Sequence, residues 1–335
     1  MVGARPLLLL LPLLLLLPAA AAKEYLFVTL FSNHSIMRME LDGSNPVALV
    51  TYPPHEMADP KAYVSWPDGV QVDVKRRKMY WTNMGDTGAQ VPRSGSVWRS
   101  NLDGSGIEVV VPVGTIGSGK QCHLDAERQQ LYVADKQAET AGIWRIDLAQ
   151  GPPFRVYPLL QKRQPSASGV TLDHTGERVL LTSDGQGHPS GLGVMGREIP
   201  RGESAANRSD VRWIYTTENP IDVETDSRGN AFWSDGGGIS PYGIRRGSVD
   251  GTAPARTIQT KAALKTSFPV GVSLTADEQS VFFVGFGVGD VFSGYTPGYV
   301  ARSSVHGGDM QVVYTPANDT VCATGVSVVE LPDEL

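Results

Sequence analysis

Residues 69–83 read GVQVDVKRRKMYWTN, and the same plan returns four more times. QCHLDAERQQLYVAD begins at Gln121, GVTLDHTGERVLLTS at Gly169, IDVETDSRGNAFWSD at Ile221 and GVSLTADEQSVFFVG at Gly271. Each copy opens with a short alternating strand, passes a polar turn and enters a second apolar strand. Alternation at period two on either side of a turn describes a pair of strands. The anchors of the second strands are Tyr80, Tyr132, Leu180, Phe232 and Phe282, spaced 52, 48, 52 and 50 residues apart. A period this even identifies an array of one supersecondary unit.

A third element recurs downstream of each pair. SVWRSNLDGSG from Ser96 matches SIMRMELDGSN from Ser35, GIWRIDLAQG from Gly142, GIRRGSVDG from Gly243 and YVARSSVHGG from Tyr299. An arginine holds the same place in all five: Arg38, Arg99, Arg145, Arg246 and Arg302. The Asp-Gly pairs that follow are tight turns, because glycine accepts the positive φ such turns demand. Another strand comes after the turn, as at Ile107 to Val111. Four antiparallel strands per repeat make a propeller blade.

The two ends complete each other. Tyr25 to Leu30 is a second strand without a first, and Gly325 to Leu331 is a first strand without a second. Pairing them gives six blades in an all-β ring and removes the exposed edges of an open sheet. Residues 23–335 are therefore expected to form one six-bladed β-propeller.

Tyr80-Trp81-Thr82-Asn83, Tyr132-Val133-Ala134-Asp135 and Phe232-Trp233-Ser234-Asp235 carry a family resemblance, together with the Arg-x-x-Leu-Asp-Gly segments. They resemble the YWTD repeats of low-density-lipoprotein-receptor-type propellers, from Tyr25 to Leu331. The fourth copy departs most: Leu180-Leu181-Thr182-Ser183 replaces the aromatic pair, and a Gly-rich insertion, Gly185 to Asn207, replaces the arginine segment.

Composition agrees with a β-rich globular chain: 335 residues with 37 Gly and 23 Pro, 41% hydrophobic and 19% charged. The net charge is −6, and Lys75-Arg76-Arg77-Lys78 is the one basic cluster, which argues against a nucleic-acid partner. Residues 1–22 read as a signal peptide: Arg5, an apolar block from Leu7 to Leu17, then Pro18 and four alanines. The block is too short to span a bilayer, and no later run is long enough. A lumenal or secreted protein is the expectation. Sequons at Asn33, Asn207 and Asn318 fit that route as glycosylation sites. Pro332-Asp333-Glu334-Leu335 resembles an ER-retrieval tail without its basic residue.

Candidate chemistry divides into residues that follow the repeat and residues that break it. Asn83, Asp135, Asp184 and Asp235 end the second strands. Such a ring could hold Ca²⁺, as in gluconolactonase-like enzymes. Equivalent repeat positions instead point to scaffold, with the carboxylates tying backbone together. No metal site is assigned. The repeated arginines read as scaffold for the same reason.

The stretch Gly119-Lys120-Gln121-Cys122-His123 breaks the pattern at an inner-strand start where other copies carry Gly-Val, and it brings in Lys120 and His123. Innermost strands line the central channel, so these two are the catalytic candidates, histidine exchanging protons near neutral pH. Trp66, Phe268 and Phe286 flank inner strands and are candidate pocket walls, and His188 in the insertion is a candidate cover. The two cysteines, Cys122 and Cys322, are expected to pair in an oxidising compartment. Their strands are not neighbours, so the bridge needs a loop leaning across the channel mouth. No Gly-rich phosphate loop and no G-x-S-x-G elbow is present, and no cofactor is assigned.

Two function classes follow. One is a protein-binding module, as in the receptor propellers. The other is an enzyme acting on a small molecule at the channel mouth. A stand-alone propeller with a leader resembles, in overall plan, the hetero-Diels–Alderases of fungal tropolone–sesquiterpene pathways. That resemblance implies a cofactor-independent cyclase joining a quinone methide to a terpene alkene. A Ca²⁺-dependent lactonase is the further alternative. The oligomeric state is not readable from the sequence.

Overall fold

A computed structural model describes residues 22–51, 66–85, 93–137, 139–161, 166–184, 190–236, 243–260, 264, 268–290, 294–296, 298–317 and 321–332, with backbone alone at 288–290 and 294–296. Six four-stranded antiparallel sheets form the blades, and the described residues contain no helix. The innermost strands are β4 (Pro67–Asp73), β8 (Gly119–Asp125), β12 (Ala167–Leu172), β16 (Pro220–Thr225), β20 (Pro269–Leu274) and β26 (Ala323–Leu331). Each packs on the next all the way round, β26 against β4 included. The expected closure is present: β26 joins the blade of β1 (Lys23–Leu30), with Lys23 opposite Leu331 and Phe27 opposite Ser327. A small hairpin, β22 (Val288–Asp290) and β23 (Gly294–Thr296), is inserted into blade six.

Apolar side chains of adjacent blades meet between the sheets. Phe27, Met79 and Trp81 share one such cluster, and Phe232, Val281 and Phe283 another. The repeat arginines lie over aromatic faces: Arg38 is 5.4 Å from the Tyr25 ring, Arg99 4.7 Å from Phe154 and Arg246 5.3 Å from Phe232. Cation–π packing of this kind is scaffold chemistry.

Blade four differs from its sequence reading. Residues 191–196 of the Gly-rich insertion are the blade's third strand, with Val194 opposite Leu180 in the place that the repeat arginine takes in the other blades. Gly193 lets the Trp213 ring on the neighbouring strand pack closely, since a Cβ would lie 3.1 Å from it.

Every inner strand carries one extra residue relative to its partner, as between Pro67 and Val70 against Asn83 and Trp81. Such a bulge leaves an unpaired N–H and re-aims the side chains beside it. The third residue of the YWTD-like segment satisfies that N–H and reaches onward to the next blade. Thr82 Oγ1 accepts from Gly69 N at 2.9 Å and donates to Lys120 O at 2.5 Å. Thr29 does the same toward Asp68 O (2.5 Å), Thr182 toward Ile221 O (2.8 Å) and Ser234 toward Val270 O. Blades three and six carry Ala134 and Val284 there, which have no hydroxyl.

Candidate functional site

Inner strands begin and second strands end at the same face, so this mouth collects residues from both. Four aromatic rings from blades six, one and two meet there. Phe31 lies 5.6 Å from Trp66 and 5.8 Å from Phe286, and Phe286 stacks on Phe268 at 5.0 Å. Backbone bonds hold their carriers: Phe31 N to Cys322 O at 2.8 Å, Met84 N to Trp66 O and Phe286 N to Phe268 O at 3.0 Å. Trp66 takes a φ of 53°, rare for a bulky residue, and its N–H points to His34 Nδ1 at 3.4 Å. Each ring is half-buried, leaving an apolar arc open to a ligand.

A polar group from blades two and three borders this arc. The Lys120 ammonium lies 2.8 Å from Asp68 Oδ2 and contacts Met84 Sδ. Gln121 Nε2 donates to Asp68 Oδ1 and, at 3.1 Å, to Thr324 O in the closing strand. Asp68 is 1% exposed and is held in place by these donors. Three rotatable N–H donors on Lys120, two of them engaged, leave one for a ligand oxygen.

Deeper in the channel, the bulges bring one residue per blade to a common level: Gln71, His123, Thr171, Glu224, Ser273 and Ser327. Three of these connect. Thr171 Oγ1 is 3.0 Å from His123 Nδ1 and 3.3 Å from Glu224 Oε1. His123 and Glu224 also line a cleft of about 420 Å³ at the face opposite the aromatic arc. Burial pushes the His123 imidazole down to about 4, against the pull of Asp125. Burial raises the Glu224 carboxyl to about 7, opposed by the Thr225 N–H and the Thr171 hydroxyl. Burial likewise holds Asp222 well above the usual carboxylate range, although it accepts from Val272 N and Val223 N at 2.9 Å.

These two shifts have opposite consequences for stability. A carboxyl raised from 4.5 to about 7 destabilises the fold increasingly as pH climbs through that window, and fully above it. A histidine lowered from 6.5 to about 4 destabilises as pH falls through its own window. Between pH 4.5 and 6.5 both groups destabilise and their opposite pH slopes cancel. Glu224→Gln is therefore expected to stabilise the protein by up to about 3 kcal/mol at pH 8 and to unmask a loss of stability from pH 6.5 down to 4. Urea titrations across pH check this; parallel curves for variant and wild type would refute it.

The structure separates residues that the sequence grouped together. Lys120 serves the aromatic mouth, whereas His123 belongs to the deeper belt with Thr171 and Glu224. Trp66, Phe268 and Phe286 do come together at the mouth, with Phe31 added. Asn33 and Asn207 are exposed on turns; Asn318, His188 and residues 1–21 lie outside the described residues. The expected Cys122–Cys322 bridge is not formed, and both thiols are free. Cys122 is buried in the core between blades two and three, while Cys322 precedes the closing strand of blade one. Burial, then the Asp222 and Asp68 carboxylates, push the Cys122 thiol up, away from the reactive thiolate.

The strand-end ring is scaffold. Asp135 accepts from Gly117 N (2.8 Å), Ser118 N (2.9 Å) and Gln137 N (3.0 Å), and Asp235 from Asn219 N at 3.2 Å. Asp184 sits one place beyond the ring, where the equivalent residue is Ser183, and pairs with Lys136 at 2.9 Å. Among the described residues, no group of three or more His, Cys, Asp or Glu is arranged to hold a metal ion.

With this geometry established, comparison with known proteins adds relatives of both kinds. No family model matches the chain. Low-density lipoprotein receptor-related protein 1 of Pyricularia oryzae is 31% identical over 188 residues, covering 51% of this chain and 57% of that protein. The 3-hydroxyacyl-CoA dehydrogenase-like protein LAM1 of Cochliobolus heterostrophus is 28% identical over 189 residues, covering 53% and 38%. The chain thus spans less than two thirds of either relative. Among solved structures, one from a nidogen/laminin complex superposes with a TM-score of 0.64 at 13% identity, covering 91% of this chain and 98% of that one. TolB from Acinetobacter baumannii gives 0.61 at 10% identity, covering 92% and 66%. The shared feature is the propeller fold. No helix among the described residues is long and apolar enough to cross a membrane.

Proposed function

We propose that this protein is an enzyme of the secretory pathway that acts on an apolar small molecule at the aromatic mouth. Its reaction is a cofactor-independent hetero-Diels–Alder cyclisation joining a quinone methide to a terpene alkene. The observation that carries this reading is the juxtaposition of four aromatic rings with one tethered ammonium, Lys120 on Asp68. The leader and the exposed sequons at Asn33 and Asn207 support the compartment.

Such a cycloaddition forms one C–C and one C–O bond from the enone-like heterodiene and the alkene. No proton or electron leaves, so the chain need only hold two partners in register. Positioning of this kind supplies up to about 7–11 kcal/mol of a barrier. Phe31, Trp66, Phe268 and Phe286 would seat the hydrocarbon. The free N–H of Lys120 would meet the carbonyl oxygen, where negative charge grows as the ring aromatises. Incubation of the purified protein with a quinone-methide precursor and humulene, followed by chiral mass-spectrometric analysis, tests this. One enantiomer formed faster than in buffer is expected, and Lys120→Ala should slow it by about 10²–10³-fold. Racemic product at the buffer rate overturns the proposal.

The likeness to the nidogen/laminin structure and the receptor-related protein favours a second reading, a protein-binding module. A silent cyclisation assay combined with capture of an extracellular partner by the mouth face would select it.

A further inference from the structure

We propose that the cleft opposite the aromatic mouth is a separate proton-transfer site for a phenolic ligand, with His123 as its base and Glu224 as the terminal proton acceptor through Thr171. This inference is independent of the reaction at the aromatic mouth. Three consecutive blades each contribute one member, at equivalent places on β8, β12 and β16. The central hydroxyl touches both neighbours, at 3.0 Å and 3.3 Å. A hydroxyl has one proton to donate, so the chain has two self-consistent states. With Glu224 protonated, its O–H donates to Thr171, Thr171 donates to His123 Nδ1, and Nε2 carries the remaining ring proton. With Glu224 ionised, Thr171 donates to the carboxylate, Nδ1–H donates to Thr171, and Nε2 offers a lone pair.

The second state is a base. A phenol O–H in the cleft passes its proton to Nε2 while the Nδ1 proton moves to Thr171 and the Thr171 proton to Glu224. The phenolate forms, Glu224 becomes neutral, and no other co-reactant is needed. The imidazole stays neutral throughout, as its burial requires. The cleft's size of about 420 Å³ suits a small aromatic ring, with Leu124 and Leu172 as apolar wall. The charged and titratable groups facing the relay are Asp125 at the end of β8, Glu127 and Arg128 from the turn after it, Asp173 and His174 from the turn after β12, and Asp222 on β16. Asp125 and Asp173 are paired, with Arg128 and Arg178 at 3.2 Å and 2.8 Å, so they do not substitute for Glu224 as proton acceptor.

Two readouts test the site on the full secreted chain. In ¹⁵N spectra of the histidine rings, His123 should change from the Nε2–H to the Nδ1–H tautomer as pH rises through Glu224's titration. Glu224→Gln should abolish the pH dependence of the tautomer, since its amide offers Thr171 a donor or an acceptor but does not titrate. Thr171→Val should uncouple the two groups and Thr171→Ser restore them. With 4-nitrophenol as probe, binding should raise the phenolate absorbance above that of the free dye at the same pH. His123→Ala and Glu224→Gln should weaken that signal by about tenfold or more, with circular dichroism confirming that each variant folds. A tautomer that ignores pH, or a dye signal unchanged in folded His123→Ala, overturns the proposal.

Discussion

Arg208→Met is expected to lower the unfolding free energy by about 3–5 kcal/mol, although the residue lies far from either mouth. Its side chain is fully buried and forms a two-pronged pair with Asp210, at 2.7 and 2.8 Å. The remaining donors reach three carbonyls: Leu159 O at 2.9 Å, Gly196 O at 2.7 Å and Glu198 O at 3.0 Å. Leu159 belongs to blade three and the others to blade four, so one guanidinium fastens two blades. Methionine retains much of the volume and removes every donor, which leaves Asp210 and three carbonyls without this partner. Desolvated acceptors without donors are costly, whereas the pair itself is worth less than its removal suggests. A fall in the urea midpoint at unchanged slope is the expected result. A midpoint within about 0.5 kcal/mol of wild type would show that solvent reaches this turn.

Gly325→Ala should loosen the seam that closes the ring. A Cβ there would lie 2.1 Å from Asp68 O and 2.8 Å from Thr29 Oγ1. One atom is backbone, and the other already donates to that same carbonyl and accepts from Gly325 N at 2.6 Å. No rotamer change relieves the overlap, so the closing strand must move away from blade two. Overpacking of this kind costs about 3 kcal/mol or more when backbone is the obstacle. Gly202→Ala is the matched control: its φ of 87° carries strain, but nothing lies within 4 Å of the new methyl. That change should cost only about 1–2 kcal/mol. Equal melting of the two variants would mean that the seam between β26 and β4 is loose.

The repeat made the ring legible because blade geometry is local and recurs. Strand pairs, Asp-Gly turns and the split terminal blade all leave marks at fixed offsets. The mouth aromatics were legible for the same reason, since Trp66 and Phe268 precede inner strands and Phe286 follows a second strand. Asp68 and Gln121 also broke the pattern beside Lys120, a signal that alignment alone could have raised. Glu224 was hidden by register. Val223 pairs with Trp233 ten residues on, where Val70 and Trp81 are eleven apart. Aligning blade five without that one-residue gap turns Glu224 toward the wrong face, because side-chain direction flips with each step along a strand. The cysteine pairing was read from compartment chemistry and an even count, neither of which carries positional information, and both thiols are free.

The hydroxyl links between blades also have a consequence for the ring as a mechanical object. They join one to two, two to three, four to five and five to six. The junctions with Ala134 and Val284 are three to four and six to one, which lie on one diameter. The four hydroxyl links thus divide the ring into two trios, blades one to three and four to six, each fastened internally by the same polar stitch. The two remaining junctions are joined by other means: His123–Thr171 and Arg208–Leu159 O between blades three and four, and Val328 N–Ser273 Oγ between six and one.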